Sequence, residues 1–164
     1  MSREVHQSKI TIRRATYDDC LTLAPVLRKE DKEEVWAGNR LLPEEALILS
    51  FNSCPETYVG ILNGEVIGMF GCSPKDDVGF GTPWLLGSDA IKIFSREFLI
   101  ASKQFFPRVF LNSSFLSNTV WSKNYVHIKW LKWMGFTIDP TEIRSPNNEV
   151  FFYFYMHTKE YHNV

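Results

Sequence analysis

The chain is short of cysteine, of net charge and of long apolar runs, and each shortage removes a class of function. Cys20, Cys54 and Cys72 are the only cysteines in 164 residues. They are too few and too scattered for a disulfide framework, so reduced thiols in a cytosol-like compartment are expected. His6, His127, His157 and His162 show no spacing with those cysteines that would build a zinc site, and no metal is expected. A formal net charge of −1 gives no global field to draw nucleic acid or an anionic membrane. No apolar run approaches the roughly 20 residues of a membrane span. The polar start, residues 1–8, has no signal-peptide core. Gly-x-Ser-x-Gly and Walker loops are missing as well. What is present is 45% hydrophobic and 15% aromatic material, enough for one core, and a single domain over residues 1–164 is expected.

Periodicity lays out the elements. Residues 9–14 alternate as a strand, and Thr16 or Asp18 can cap the helix after it. The run from Arg28 to Glu34 reads as a solvated charged face, with Trp36 as a partly buried anchor. Pro43, Glu44 and Glu45 mark a helix start. Thr57–Leu62 and Glu65–Cys72 flank Asn63-Gly64, a pair suited to the positive φ angles of a hairpin turn. A loop at 73–82 leads to a strand at 83–87, whose Pro83 is expected at a strand start or edge. A helix from Ala90 to Phe106, capped by Ser88 or Asp89 and kinked or ended by Pro107, should bury Phe94 and Phe98. A strand at 116–120 and a terminal pair, 137–143 and 150–157, complete an α/β (α+β) chain. Its expected architecture is a mixed sheet of six to seven strands with helices on both faces.

The segment Asn118–Phe136 organises the rest. Asn124 can cap a helix that ends at Gly135, where a left-handed residue is favoured. Val126, Trp130 and Trp133 share one helical face, so Trp130, Trp133 and Phe136 are expected in the core. The aromatics and lysines between Trp121 and Trp133 interleave as they do on a nucleic-acid surface, but on a helix they separate into a core stripe and a wet stripe, so the footprint is weak and a nucleic-acid partner is not expected.

Asn124 followed eleven residues later by Gly135-Phe136 resembles the last signature of the GNAT N-acetyltransferase superfamily. Five blocks, 29–37, 43–47, 64–71, 83–89 and 124–136, resemble phage GNAT-like proteins related to internal virion protein A. The resemblance implies an acetyl-CoA-dependent N-acetyltransferase, or a catalytically degenerate relative, acting on an unknown amine. The competing class is a non-enzymatic virion or host-interaction protein that keeps the fold as a scaffold. It also implies a place in the cytoplasm of an infected host or in the virion, and it leaves a homodimer open.

In such a fold the strands at 83–87 and 116–120 splay apart around pantetheine, and the following helix turns its N-terminus to the pyrophosphate. The implied cofactor contacts are Leu85, Leu86, Gly87, Ser88, Asp89, Ala90 and Asn124. Gly87-Ser88-Asp89-Ala90 replaces the family's richer glycine loop, and Asp89 would repel a phosphate. Leu131 stands where many GNAT enzymes carry a proton-donating tyrosine, with Tyr125 six residues earlier. Asp89, Glu65 and His127 are candidates for the base that deprotonates the amine.

Overall fold

The computed structural model describes residues 9–74, 79–110 and 112–158. Strand β1 (Thr11–Arg14) is followed by α1 (Tyr17–Leu23), a 3-10 turn (Ala24–Val26), α2 (Lys29–Asn39) and α3 (Pro43–Ser53). Strands β2 (Thr57–Leu62), β3 (Glu65–Pro74) and β4 (Phe80–Gly87) lead to a one-turn helix, α4 (Ala90–Ile93), and to α5 (Ser95–Val109). Then come β5 (Phe115–Trp121), α6 (Tyr125–Met134), β6 (Thr137–Arg144) and β7 (Val150–His157).

Seven strands form one mixed sheet in the order β1-β2-β3-β4-β5-β7-β6. Every neighbouring pair is antiparallel except β4 and β5. The β2–β3 hairpin turns at Asn63 (φ 51°) and Gly64 (φ 78°), as their small steric demands allow.

The pleat sends alternate residues of each strand to opposite layers. Met69 and Leu86 pack with Leu23, Leu27 and Leu47 from the α1 to α3 layer. Phe70 and Leu85 point the other way, into a cluster with Phe106 of α5, Phe110 just beyond it, and Trp130, Leu131 and Met134 of α6. Trp130 is the centre of that second layer. Its ring meets Phe106 edge-on at 5.1 Å, and its indole N–H donates to Ser102 Oγ at 3.2 Å. Phe136 is buried beside Phe154, as its place after Gly135 suggests.

Three local expectations are corrected. The helix expected over 90–106 is broken at Phe94, which leaves the helical region (φ −105°, ψ 43°) and stands 41% exposed. Of the two outcomes open at Pro107, the ending does not occur: the helix runs on to Val109, and Phe106 and Phe110 on either side are held in the same cluster. Trp133 is 42% exposed, since it sits three residues and so about 60° round the helix from Trp130. Lys103 lies over its ring at 4.4 Å. Trp36 is half exposed, in keeping with a partly buried anchor, with the Arg40 guanidinium 5.9 Å from its ring centre.

Candidate functional site

Strands β4 and β5 stay paired for two positions only, Phe80 with Phe115 and Gly81 with Leu116, and then part. Pro83 lies inside β4, not at its start, and the parting explains why it is tolerated. Its carbonyl accepts from Asn118 Nδ2 at 2.9 Å across the gap, so its missing N–H would point to the same strandless side. Two residues on, the backbone of Leu85 turns to that side too, where no ladder partner meets it. Gly87 faces the same way. Its N–H donates to Asp31 Oδ2 at 2.9 Å, and its carbonyl accepts the Arg28 N–H at 2.9 Å.

The far end of the gap is closed by a buried polar network. Asp31 is 1% exposed and also accepts from Arg28 Nη2 at 2.7 Å and from Asn124 Nδ2 at 3.3 Å. Asn124, fully buried, caps α6 by accepting the His127 N–H at 3.4 Å and donates to Glu34. Glu34 Oε1 accepts the Trp121 N–H at 3.0 Å, and Glu34 Oε2 lies 3.6 Å from His127 Nδ1. Burial pushes the Glu34 carboxyl up, but the His127 ring, the Trp121 N–H and the Asn124 amide outweigh it and hold it below the usual range. Burial likewise works against the Arg28 charge, and Asp31 more than restores it.

Above this network opens a cleft of about 400 Å³ on the α2–α3 side. Trp84, Phe151 and Phe154 line it together with Leu49, Glu34 and His127. On the α5–α6 side of the same gap Phe106, Phe110, Trp130, Leu131, Phe136 and Phe154 leave only about 10 Å³. His127 borders both spaces.

Asp31, Glu34 and His127 also bring ligand atoms within 4.8 Å of one another, close enough to suit a metal ion. The Asp31 oxygens are already engaged by Arg28, Asn124 and Gly87, which makes them poor metal ligands.

No family model matches the chain, and no curated protein matches it in sequence. Solved structures do match. A GNAT-family acetyltransferase from Bacillus anthracis superposes with a TM-score of 0.67 at 11% identity, covering 94% of this chain and 98% of that one. The fold is that of the GNAT acetyltransferases. AAC(6')-Ib in complex with ribostamycin and coenzyme A is similar at TM-score 0.69 and 18% identity, covering 95% and 97% of the two chains. A spermidine N-acetyltransferase SpeG chimera from Vibrio cholerae and hSSAT reaches 0.61 at 13%, covering 96% and 100%. At these identities the likeness is one of fold.

Within that GNAT fold the residues singled out by sequence fall into separate places. His127 reaches the cleft, and Asn124 sits in the network beneath it. Leu85 and Leu86 line the cleft from β4. Ser88 and Ala90 are turned inward: the Ser88 N–H donates to the Ile67 carbonyl, and the Ala90 N–H to Ser88 Oγ. Asp89 is exposed at the start of α4 and Glu65 at the hairpin, and neither lines the cleft. Tyr125 is 69% exposed and away from it. The loop cannot offer five free N–H groups to a pyrophosphate, because those of Gly87, Ser88, Ala90 and Ile91 already have partners.

The run from Arg28 to Glu34 was expected to be solvated, and that reading is corrected. Arg28 and Asp31 are buried and Glu34 is a cleft residue. Their three-residue spacing runs from the N-cap Arg28 along one side of α2 and was the available signal.

Proposed function

We propose that this chain is an N-acyltransferase that uses acetyl-CoA and accepts an amine in the cleft beside His127. The observation that carries the reading is the parting of β4 and β5 beside a cleft whose lining holds the Glu34–His127 pair. The pantetheine arm suits the gap, because the Leu85 backbone faces it without a strand partner. Coenzyme A would supply the acyl group as an activated thioester.

The chain's own residues then have distinct tasks. Glu34 is ionised and faces His127 Nδ1, which favours the tautomer that leaves Nε2 as the accepting nitrogen. His127 would take the proton of the attacking amine there. Asn124 and the Trp121 N–H fix the Glu34 carboxylate. Leu131 supplies no proton on the other side of the gap, so the leaving thiolate depends on solvent or on the coenzyme's own acidity.

Calorimetry with acetyl-CoA tests the first half of this. Asp89→Asn should tighten binding by removing a like charge near the phosphates, and Asp89→Lys should tighten it further with a steeper salt dependence. No measurable affinity at millimolar concentration in all three proteins would sink the enzyme reading. The second half is tested by His127→Ala, which should lower turnover on the order of 10²–10⁴-fold with little change in acetyl-CoA affinity.

A second reading has its own support. Leu131 in place of a proton donor, and a cofactor loop whose N–H groups are already bonded, favour a GNAT scaffold acting by contact with a virion or host protein. The phage-like blocks support an origin in a tailed phage or prophage, with action in the infected cytoplasm or in the virion. Binding of acetyl-CoA without turnover on any amine would favour this second reading.

A further inference from the structure

We infer that the acceptor cleft is built for an amine carrying one positive charge on a flat apolar body, of the arylalkylamine class, and not for a polycation. This rests on the acceptor site proposed above and narrows it.

The lining of the cleft is the ground. Glu34 is its only carboxylate among the described residues, and no lysine or arginine lines it. Trp84, Phe151 and Phe154 supply aromatic wall, while Leu41, Leu49 and Ile143 supply aliphatic wall. The few polar groups, such as Asn118, Thr119 and Ser145, are neutral.

A ligand with several ammonium groups needs several carboxylates, because each unpaired charge taken from water is penalised. Glu34, whose Oε1 already accepts the Trp121 N–H and whose Oε2 accepts the Asn124 amide, keeps its negative charge and answers at most one cation. The aromatic walls answer a ring, whose burial is favoured by area and by stacked or edge-on contact. At about 400 Å³ the cleft lies within the usual range for small-molecule sites and has room for an indole or phenyl group.

The position of the charge adds direction. Glu34 and His127 supply the polar corner of the lining and the rings supply the apolar part, so the ammonium is drawn to one and the ring to the other. That orientation sets the nitrogen beside His127 and leaves the apolar body against Phe151 and Phe154. Two neighbours of the same fold are described with a polyamine or an aminoglycoside, so the prediction separates this chain from both.

The test uses calorimetry on the full chain with four probes: tryptamine, its uncharged alcohol analogue tryptophol, spermidine and ribostamycin. Tryptamine should bind at least about tenfold more tightly than spermidine, ribostamycin and tryptophol, a gap of roughly 1.4 kcal/mol. Glu34→Gln should erase the preference of tryptamine over tryptophol. Spermidine or ribostamycin binding as tightly as tryptamine overturns the inference, and so does tryptophol matching tryptamine in the unaltered chain. Acyl transfer is followed separately by thiol release. Selective tryptamine binding without transfer upholds the inference and removes the enzyme reading. Transfer to spermidine in preference to tryptamine does the reverse.

Discussion

Replacing Asp31 by alanine should be among the most damaging single changes in this protein. The carboxylate is 1% exposed and takes hydrogen bonds from three places: the Arg28 guanidinium, the Gly87 N–H and the Asn124 amide. Asn124 keeps Glu34 as a second acceptor, so its loss is small. Arg28 is only 4% exposed, and its Nε and Nη1 have no hydrogen-bond partner among the described residues. Removing Asp31 therefore strands a buried charge, which costs about 3–5 kcal/mol. That is about two to four powers of ten in the folding equilibrium. The double change Arg28→Met with Asp31→Leu removes both charges and leaves the Gly87 N–H as the main orphan, at about 1–3 kcal/mol. The double variant should thus be more stable than the single one. Urea unfolding followed by tryptophan fluorescence and circular dichroism measures both. An Asp31→Ala loss below about 1 kcal/mol, or a double variant no better than the single, would refute the argument from a stranded charge.

Three further outcomes are expected. Trp130→Ala should cost about 3–5 kcal/mol, whereas Trp133→Ala should stay below about 1 kcal/mol, and equal losses in thermal or urea unfolding would contradict the assigned faces. The Arg13 hydrogen bonds hold the Asp19 carboxyl below its usual range, so this pair adds stability above about pH 4 and loses it as the pH falls through the lowered value. Arg13→Leu should flatten that acid limb of a stability-against-pH curve, and an unchanged limb would discard the pairing. Burial pushes the Cys72 thiol up to about 11, so its alkylation at pH 8 should run on the order of a hundredfold slower than that of a free thiol; rates matching a free thiol would show it open.

The sheet was legible because its signals are local. Asn63-Gly64 marks a turn by backbone conformation alone, and the alternation on either side needs no distant partner to be read. Phe94 and Trp133 were misplaced because periodicity reports spacing along a helix and not where a helix breaks or how wide its buried stripe is. Arg28, Asp31 and Glu34 were missed for a different reason. In sequence a run of charges looks the same whether water or protein covers it, and here the covering groups, Gly87, Trp121 and Asn124, lie more than fifty residues away. His127 was named by residue type only, since nothing near it in the chain foretells Glu34.

The gap between β4 and β5 has a mechanical consequence. Gly81 and Leu116 pin it at one end, and a side chain at Gly81 would collide with Ser113 Oγ at 2.5 Å and Cys72 Sγ at 2.6 Å. Asp31 ties it at the other end by gripping Gly87 from β4 and Asn124 just beyond β5. The sheet therefore carries an eyelet in place of an open fork, with the Asn118 to Pro83 bond as a crossbar. A long ligand cannot slide in sideways from a free edge. It has to be threaded end first between these ties or enter while the Asp31 clasp is open.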